Sequence, residues 1–417
     1  MPASRKIELM SPAGSFESLH AAIQGGCDSV YFGVGNLNMR ANASINFKPE
    51  DIHEVSRICK HAGVRSYLTM NTVMFDKDLP AMREILALAK DAKISAVIAS
   101  DQAVINHASA IGLEIHLSTQ LNITNFETIR FYSKFADVAV LARECTLEQM
   151  QAICDQIQEH KLCGPSGRLM EIEVFAHGAL CMSISGKCYL SLHTRNTSAN
   201  RGACMQNCRR RYRVIDIEHE HELEIDNEYI MSPKDLCTIG FLDRLIGTGI
   251  SVLKIEGRGK SADYVKIVTQ CYREAIDSVC DGTYCERKVE GWVRRLESVF
   301  NRGFWGGYYL GKKLGEWTSG AGSEATMKKV YVGKCTNFYA KIGVGEFLLE
   351  STNLQAGDPV MVMGPTTGVV EAIVESMYVD DEGKKDSACK GQVCTFGVNG
   401  IVRKADKLYK LVPSNEE

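Results

Sequence analysis

Short apolar runs rich in β-branched residues alternate with amphipathic stretches along the first two thirds of the chain. The runs Ile7–Met10, Ser29–Val34, Arg65–Met70, Ala96–Ala99, Glu114–Leu117, Asp137–Leu141, Glu171–Phe175 and Ser251–Ile255 predict strands. Between them, apolar residues at helical spacing predict helices over Phe16–Gln24, Pro49–His61, Leu79–Asp91 and Asn125–Phe135. Helices over Asp263–Val279 and Gly291–Phe300 are expected after the last run. Strands alternating with helices imply right-handed β-α-β units and a parallel sheet. Eight such strands suit an α/β fold of the TIM type, a (β/α)8 barrel. A doubly wound open sheet is the alternative, because spacing alone does not close a barrel.

The rhythm breaks over an insertion of about residues 176–250, which holds two close cysteine pairs, a basic run and a hairpin predicted over Tyr212–Glu218 and Glu222–Ile225. Long insertions at the C-terminal ends of barrel strands are where barrel chemistry sits. A flexible linker is expected at Ser319–Ser323. Beyond it, short runs split by turns predict strands over Lys329–Cys335, Tyr339–Val344, Pro359–Met363, Gly368–Met377 and Gly391–Thr395. The expected organisation is a barrel over residues 1–315 and a small all-β barrel over residues 325–414.

Composition narrows the function. The formal charge is −3 over 417 residues, so any nucleic acid must be held by a local basic surface. No window approaches the roughly 20 apolar residues of a membrane span, and no secretion signal is visible. A cytoplasmic, soluble protein without membrane partners is expected. Its sixteen cysteines are then reduced thiols rather than disulfides. Cys27, Cys59, Cys154, Cys271 and Cys335 fall in apolar periodic stretches and read as small core residues. Cys181, Cys188, Cys204, Cys208 and Cys237 are crowded into the insertion instead. Iron–sulfur centres take soft thiolates, typically four, whereas zinc prefers close CxxC pairs, which are absent from this segment. Lys187, Arg201 and Arg209 would lower thiolate pKa values and offset a cluster's negative charge. The plain alternative is a loop of unrelated thiols.

Other residues carry weaker signals. Lys254, Glu256 and Arg258 alternate at the end of the last strand, which would aim them at the barrel mouth. The following Gly257–Ser261 opens a helix and offers an anion site. Structural salt bridges are the equal alternative. Arg40, Arg143, Lys234 and Gln120 are lesser candidates. His177 is a candidate proton donor or a satisfied structural histidine. Arg209, Arg210, Arg211 and Tyr212 form the densest basic patch, suited to RNA phosphates and one stacked base, or a charged strand edge. No GxSxG or HExxH motif is present, which weakens a hydrolase reading.

The segment from Glu173 to Ser191 resembles the signature of the collagenase-like peptidase family, the U-32 family: Glu173, Phe175, Gly178-Ala179, Cys181, Gly186, Cys188 and Leu190-Ser191 fall in its order. The similarity extends through Leu9-x-Ser-Pro-Ala-Gly14, Tyr31-Phe-Gly33, Ser118-Thr-Gln120, Leu253-Lys-Ile-Glu-Gly-Arg258 and Asn301-Arg-Gly-Phe304. The family's name comes from early collagenase-like members. The resemblance implies, more widely, oxygen-independent hydroxylation of tRNA, ribosomal RNA or quinone precursors, with a [4Fe-4S] cluster on four cysteines. The length and the C-terminal β domain look most like members that form 5-hydroxyuridine at the tRNA wobble position. That implies tRNA as a partner and prephenate or a related small carboxylate as a metabolite. It also implies Cys181 and Cys188 as ligands, with Cys237, after Ser-Pro-Lys-Asp-Leu, as the last. Cys204 is the third, with Cys208 as the alternate. Some relatives act as heteromers, so a homo- or hetero-oligomer is expected, and a peptidase is the alternative activity.

Overall fold

Eight parallel strands close into a ring in the computed structural model, which describes residues 6–41, 46–213, 229–311, 315–380 and 383–414. They are β1 (Glu8–Ala13), β2 (Ser29–Gly33), β3 (Arg65–Met70), β4 (Ala96–Ala99), β5 (Ile115–Leu117), β6 (Val138–Val140), β7 (Glu171–Gly178) and, after an extra strand β8 (Asp235–Cys237), β9 (Val252–Ile255). Strand β9 pairs with both β7 and β1, so the sheet closes and the open-sheet alternative falls. Alternation along each strand divides the side chains. One set packs outward against the helices, and the other fills the barrel around Met10, Tyr31, Tyr67, Ile98 and Val252.

The surrounding helices follow the expected spacing: α1 (Phe16–Gln24), α2 (Ile52–His61), α3 (Leu79–Asp91), α4 (Gln102–Ala110), α5 (Phe126–Tyr132) and α6 (Leu147–Glu159), then α7 (Leu190–Arg195), α8 (Leu242–Gly247), α9 (Ala262–Cys280) and α10 (Glu286–Glu297). Helix α1 starts where the Ser15 side chain accepts from the Ser18 amide. Helix α10 begins before Gly291, where the sequence predicted its start. Buried Trp292 and Leu296 anchor the helix, and Gly291 sits inside it.

Strand β8 was not foreseen: three residues behind a proline carry too little periodicity. It pairs antiparallel with β7 and parallel with β10 (Phe304–Trp305). The predicted hairpin lies almost wholly outside the described residues.

The C-terminal part is all β. It comprises β11 (Met327–Tyr339), β12 (Val344–Leu349), β13 (Leu354–Gln355), β14 (Pro359–Gly364), β15 (Gly368–Ile373), β16 (Met377–Val379), β17 (Gly383–Lys385), β18 (Ser387–Ala388), β19 (Val393–Gly397) and β20 (Lys407–Pro413). Eight of these strands run in the order β15-β14-β20-β11-β12-β19-β16-β17 around a core of their own. The expected strand over Tyr339–Val344 is instead the turn between β11 and β12. The sheet docks on α1 and α9. Gln24 donates to the Thr367 carbonyl at 2.8 Å and accepts from the Val369 amide at 2.9 Å.

Candidate active site

The C-terminal ends of β2, β3, β7 and β9 and the turns of the insertion enclose a cavity of about 260 Å³. Lys254, Glu256 and Arg258 all line it, as their alternation requires. Lys254 reaches down the barrel axis to Glu173, with Nζ 2.8 Å from Oε1. Its ammonium lies 4.6 Å from the Tyr31 ring centroid. Glu173 is fully buried, and its second oxygen has no hydrogen-bond partner. Burial alone would raise the Glu256 carboxyl, but the Arg40 guanidinium bound to it brings it below the usual carboxylate range. Arg258 donates to Thr69 Oγ1 at 2.9 Å, and burial pulls its pKa down to about 10.

Seven basic side chains line the cavity against one carboxylate, Glu256. Arg40, Lys254 and Arg302 are ion-paired, with Glu256, Glu173 and Asp235, which leaves Arg143, Arg209, Arg258 and Lys260 without an ion pair among the described residues, an excess of cations that favours anions. Arg143 holds the Ala179 carbonyl at 3.0 Å while its Nε is buried with no hydrogen-bond partner. Lys260 stands over the Phe300 ring, and burial, with Arg302 adding, pulls its amine down to about 7. Lys260 and Arg302 are signalled in the sequence only by the Gly257–Ser261 turn and the Asn301-Arg-Gly-Phe304 run. Lys234 falls outside the cavity and pairs with Glu316.

Cys181, Cys188, Cys204 and Cys208 all line this cavity, so both cysteines of the 204/208 pair belong to it. They come from three turns. Cys181 follows Gly178, whose φ of +107° turns the chain off β7, and where an added Cβ would sit 2.5 Å from the Glu256 carbonyl oxygen. Burial raises the Cys208 thiol, Arg209 opposes the rise, and Cys181, Cys204 and Cys188 add to it, so the four sulfurs sense one another. Among the described residues, no group of three or more His, Cys, Asp or Glu side chains is close enough to hold one metal ion. Four soft thiols on one cavity match the donor type and number that an iron–sulfur group takes.

Four of the expected residues have partners of their own. Cys237 does not line the cavity. It sits on β8 opposite His177, accepts from the Tyr272 hydroxyl at 3.8 Å, and burial lifts its thiol to about 11. His177 also misses the cavity. A bulge between Phe175 and His177 shifts the register against β9 and re-aims the ring outward, between Tyr264, Tyr272 and Phe304. Burial there depresses its pKa to about 3, so it is neutral. Arg209 and Tyr212 are internal ties: Arg209 binds Ser232 at 3.0 Å and the Pro233 carbonyl at 2.6 Å, and the Tyr212 hydroxyl binds the Asn207 carbonyl at 2.7 Å. Arg210 and Arg211 are exposed.

Fold and site together define a closed α/β barrel whose catalytic face gathers thiols and cations. Residues 14–319 match the model of peptidase family U32, and the chain belongs to that family. A protein named collagenase from Porphyromonas gingivalis is 52% identical over 403 residues, 97% of each chain. The tRNA hydroxylation protein P1 of Bacillus subtilis is 30% identical over 429 residues, covering 99% of this chain and 94% of its own. The 23S rRNA 5-hydroxycytidine C2501 synthase of Escherichia coli is 33% identical over 308 residues, 72% of this chain and 45% of its own. Among the described residues, no helix is long and apolar enough to cross a membrane.

Proposed function

We propose that the chain is an iron–sulfur enzyme of tRNA modification that hydroxylates a wobble uridine to 5-hydroxyuridine without molecular oxygen. Cys181, Cys188, Cys204 and Cys208 would hold the [4Fe-4S] cluster. The observation that carries this reading is the convergence of these thiols, from three separate turns, on one cavity otherwise rich in cations. A bound cluster supplies one-electron redox chemistry. The chain's own residues bind and orient. Arg143, Arg258 and Lys260 offer donors to a carboxylate such as prephenate, and the unpartnered Arg143 Nε is one such donor. Glu256, kept ionised by Arg40, accepts hydrogen bonds from the substrate. Lys260, with its pKa near 7, can take up or release a proton near neutral pH.

The relative named for tRNA hydroxylation supports this reading over nearly the full chain. The 52% identity to a protein named collagenase favours a second one, a thiol-dependent peptidase. A peptidase thiol needs a base beside it, and no histidine lines the cavity among the described residues. The test is mass spectrometry of tRNA nucleosides from a strain lacking the gene. The hydroxylase reading expects 5-hydroxyuridine derivatives to vanish, and to return with the wild-type gene but not with Cys181→Ala. Unchanged nucleosides would overturn it, and gelatin cleavage by the purified protein would then favour the peptidase.

A further inference from the structure

We propose that the rim of this cavity is a docking face for single-stranded RNA, with Tyr189 as the platform on which one base stacks. The inference rests on the RNA reading above and gives its partner a shape: an unpaired loop rather than a duplex.

Charge is the first observation. From Ala179 to Arg213 the chain carries seven Lys and Arg residues and no Asp or Glu, in a molecule whose formal charge is −3. So one-sided a stretch is an electrostatic footprint for a polyanion. Two of the seven are used internally: Arg201 pairs with Asp78, and Arg209 ties the insertion together. Lys187, Arg195 and Arg210 are exposed and carry no ion pair among the described residues.

The second observation is independent of charge. Met182, Ile184, Tyr189 and Met205 are exposed, Tyr189 at 76%. Each is a chain neighbour of cavity-lining residues: Met182 and Ile184 of Ser183, Tyr189 of Cys188 and Leu190, and Met205 of Cys204 and Gln206. Apolar side chains therefore border the opening itself. Phe75, also exposed, joins them through Arg201, whose guanidinium lies 4.5 Å from its ring centroid. An apolar border at a cavity mouth marks a binding surface.

A single RNA strand satisfies both observations. Its phosphates pair with Lys187, Arg195 and Arg210, and its base faces meet Tyr189 and Phe75. An A-form duplex keeps its base faces inside the stack and offers Tyr189 nothing. A splayed loop also frees one base to enter the cavity while its neighbour rests on the rim. A protein partner would suit the methionines but would have to bring carboxylates placed for three separate cations, which a phosphate backbone supplies along its whole length.

The test titrates the full chain into a fluorescein-labelled single-stranded RNA dodecamer and into the same RNA annealed to its complement, by fluorescence anisotropy at two salt concentrations. Preference for the single strand is expected. Tyr189→Ala should weaken binding about tenfold, the effect of removing one base stack, while Tyr189→Phe retains it. The triple change Lys187→Glu, Arg195→Glu, Arg210→Glu should weaken binding and flatten the salt dependence, by a slope of about 0.7 for each phosphate that is no longer neutralised. Equal affinity for the duplex, or unchanged binding by Tyr189→Ala, overturns the proposal. So does failure to bind RNA, including the case where sedimentation shows this face holding a second copy of the chain. Tyr189 is exposed, so its truncation leaves folding intact, which circular dichroism checks. Binding is read without turnover. Unchanged tRNA nucleosides with intact strand binding would therefore sink the hydroxylase reading alone, and the reverse pattern would sink the docking face alone.

Discussion

Glu173→Gln removes one charge from the middle of the barrel and leaves its partner behind. The Lys254 ammonium is 2.8 Å from the Glu173 carboxylate, with side-chain exposures of 7% and 0%. Without the carboxylate, the nearby groups are the Tyr31 and Phe175 rings, at 4.6 and 5.6 Å from the nitrogen. Stranding one member of a buried pair costs about 3–5 kcal/mol, and two ring faces recover only part of that. In a barrel of about 300 residues, at about 2.1 cal/mol/K per residue, the loss lowers the melting temperature by roughly 5–8 °C. The three tryptophans, Trp292, Trp305 and Trp317, all precede the C-terminal sheet, so tryptophan fluorescence reports unfolding of the barrel part. Lys254→Met combined with Glu173→Gln replaces both charges, and the double variant should regain most of the lost stability, a coupling that a double-mutant cycle measures. A shift below about 2 °C for Glu173→Gln, or simple additivity in the double variant, would refute the view that this pair holds the floor of the site.

Lys260→Met tests the buried amine. Its folded pKa, about 7, lies below the ordinary lysine value of 10.5, so the unfolded chain binds more protons between those two pH values. Wild-type stability attributable to this group therefore rises with pH across that window, and below pH 7 the full cost of burying the charge applies. Lys260→Met should be the more stable protein at pH 6.5, by several kcal/mol at about 1.4 kcal/mol per pKa unit, with the gap narrowing at pH 9.5 in thermal unfolding. A gap independent of pH would show that burial, with Arg302 adding, does not shift its titration. Gly33→Ala should disturb Arg258, because an added Cβ runs into its guanidinium and into the Asn38 side chain. The cost is about 1–3 kcal/mol, together with weaker binding of a dicarboxylate by calorimetry, and unchanged dicarboxylate binding would argue that Arg258 does not touch the ligand.

The barrel was legible because its strands and helices keep their own periods. Arg65–Met70, Ala96–Ala99, Phe16–Gln24 and Leu79–Asp91 appear with the boundaries read from the residues. Alternation also placed Lys254, Glu256 and Arg258 on one wall. It does not extend to His177, where a bulge breaks the period of two, a feature that leaves no mark in composition. Spacing could not rank the cysteines, because the distance between turns depends on how the insertion folds back on the barrel. Cys208 lines the cavity with the other three, and Cys237, on β8 beside β7, does not. Nothing in the sequence marks the Lys260 amine as perturbed, because its depressed pKa arises from burial, with Arg302 adding, and Arg302 is about 40 residues away in sequence, close only in the fold.

The most direct measurement is iron and acid-labile sulfide per chain, with the visible absorption spectrum, on protein purified without oxygen. The wild type is expected to carry about four of each, Cys208→Ser to lose most of both, and Cys237→Ser to keep them. Colourless, iron-free wild-type protein, or a cluster that survives Cys208→Ser and disappears in Cys237→Ser, would contradict the four-thiol site described for this cavity.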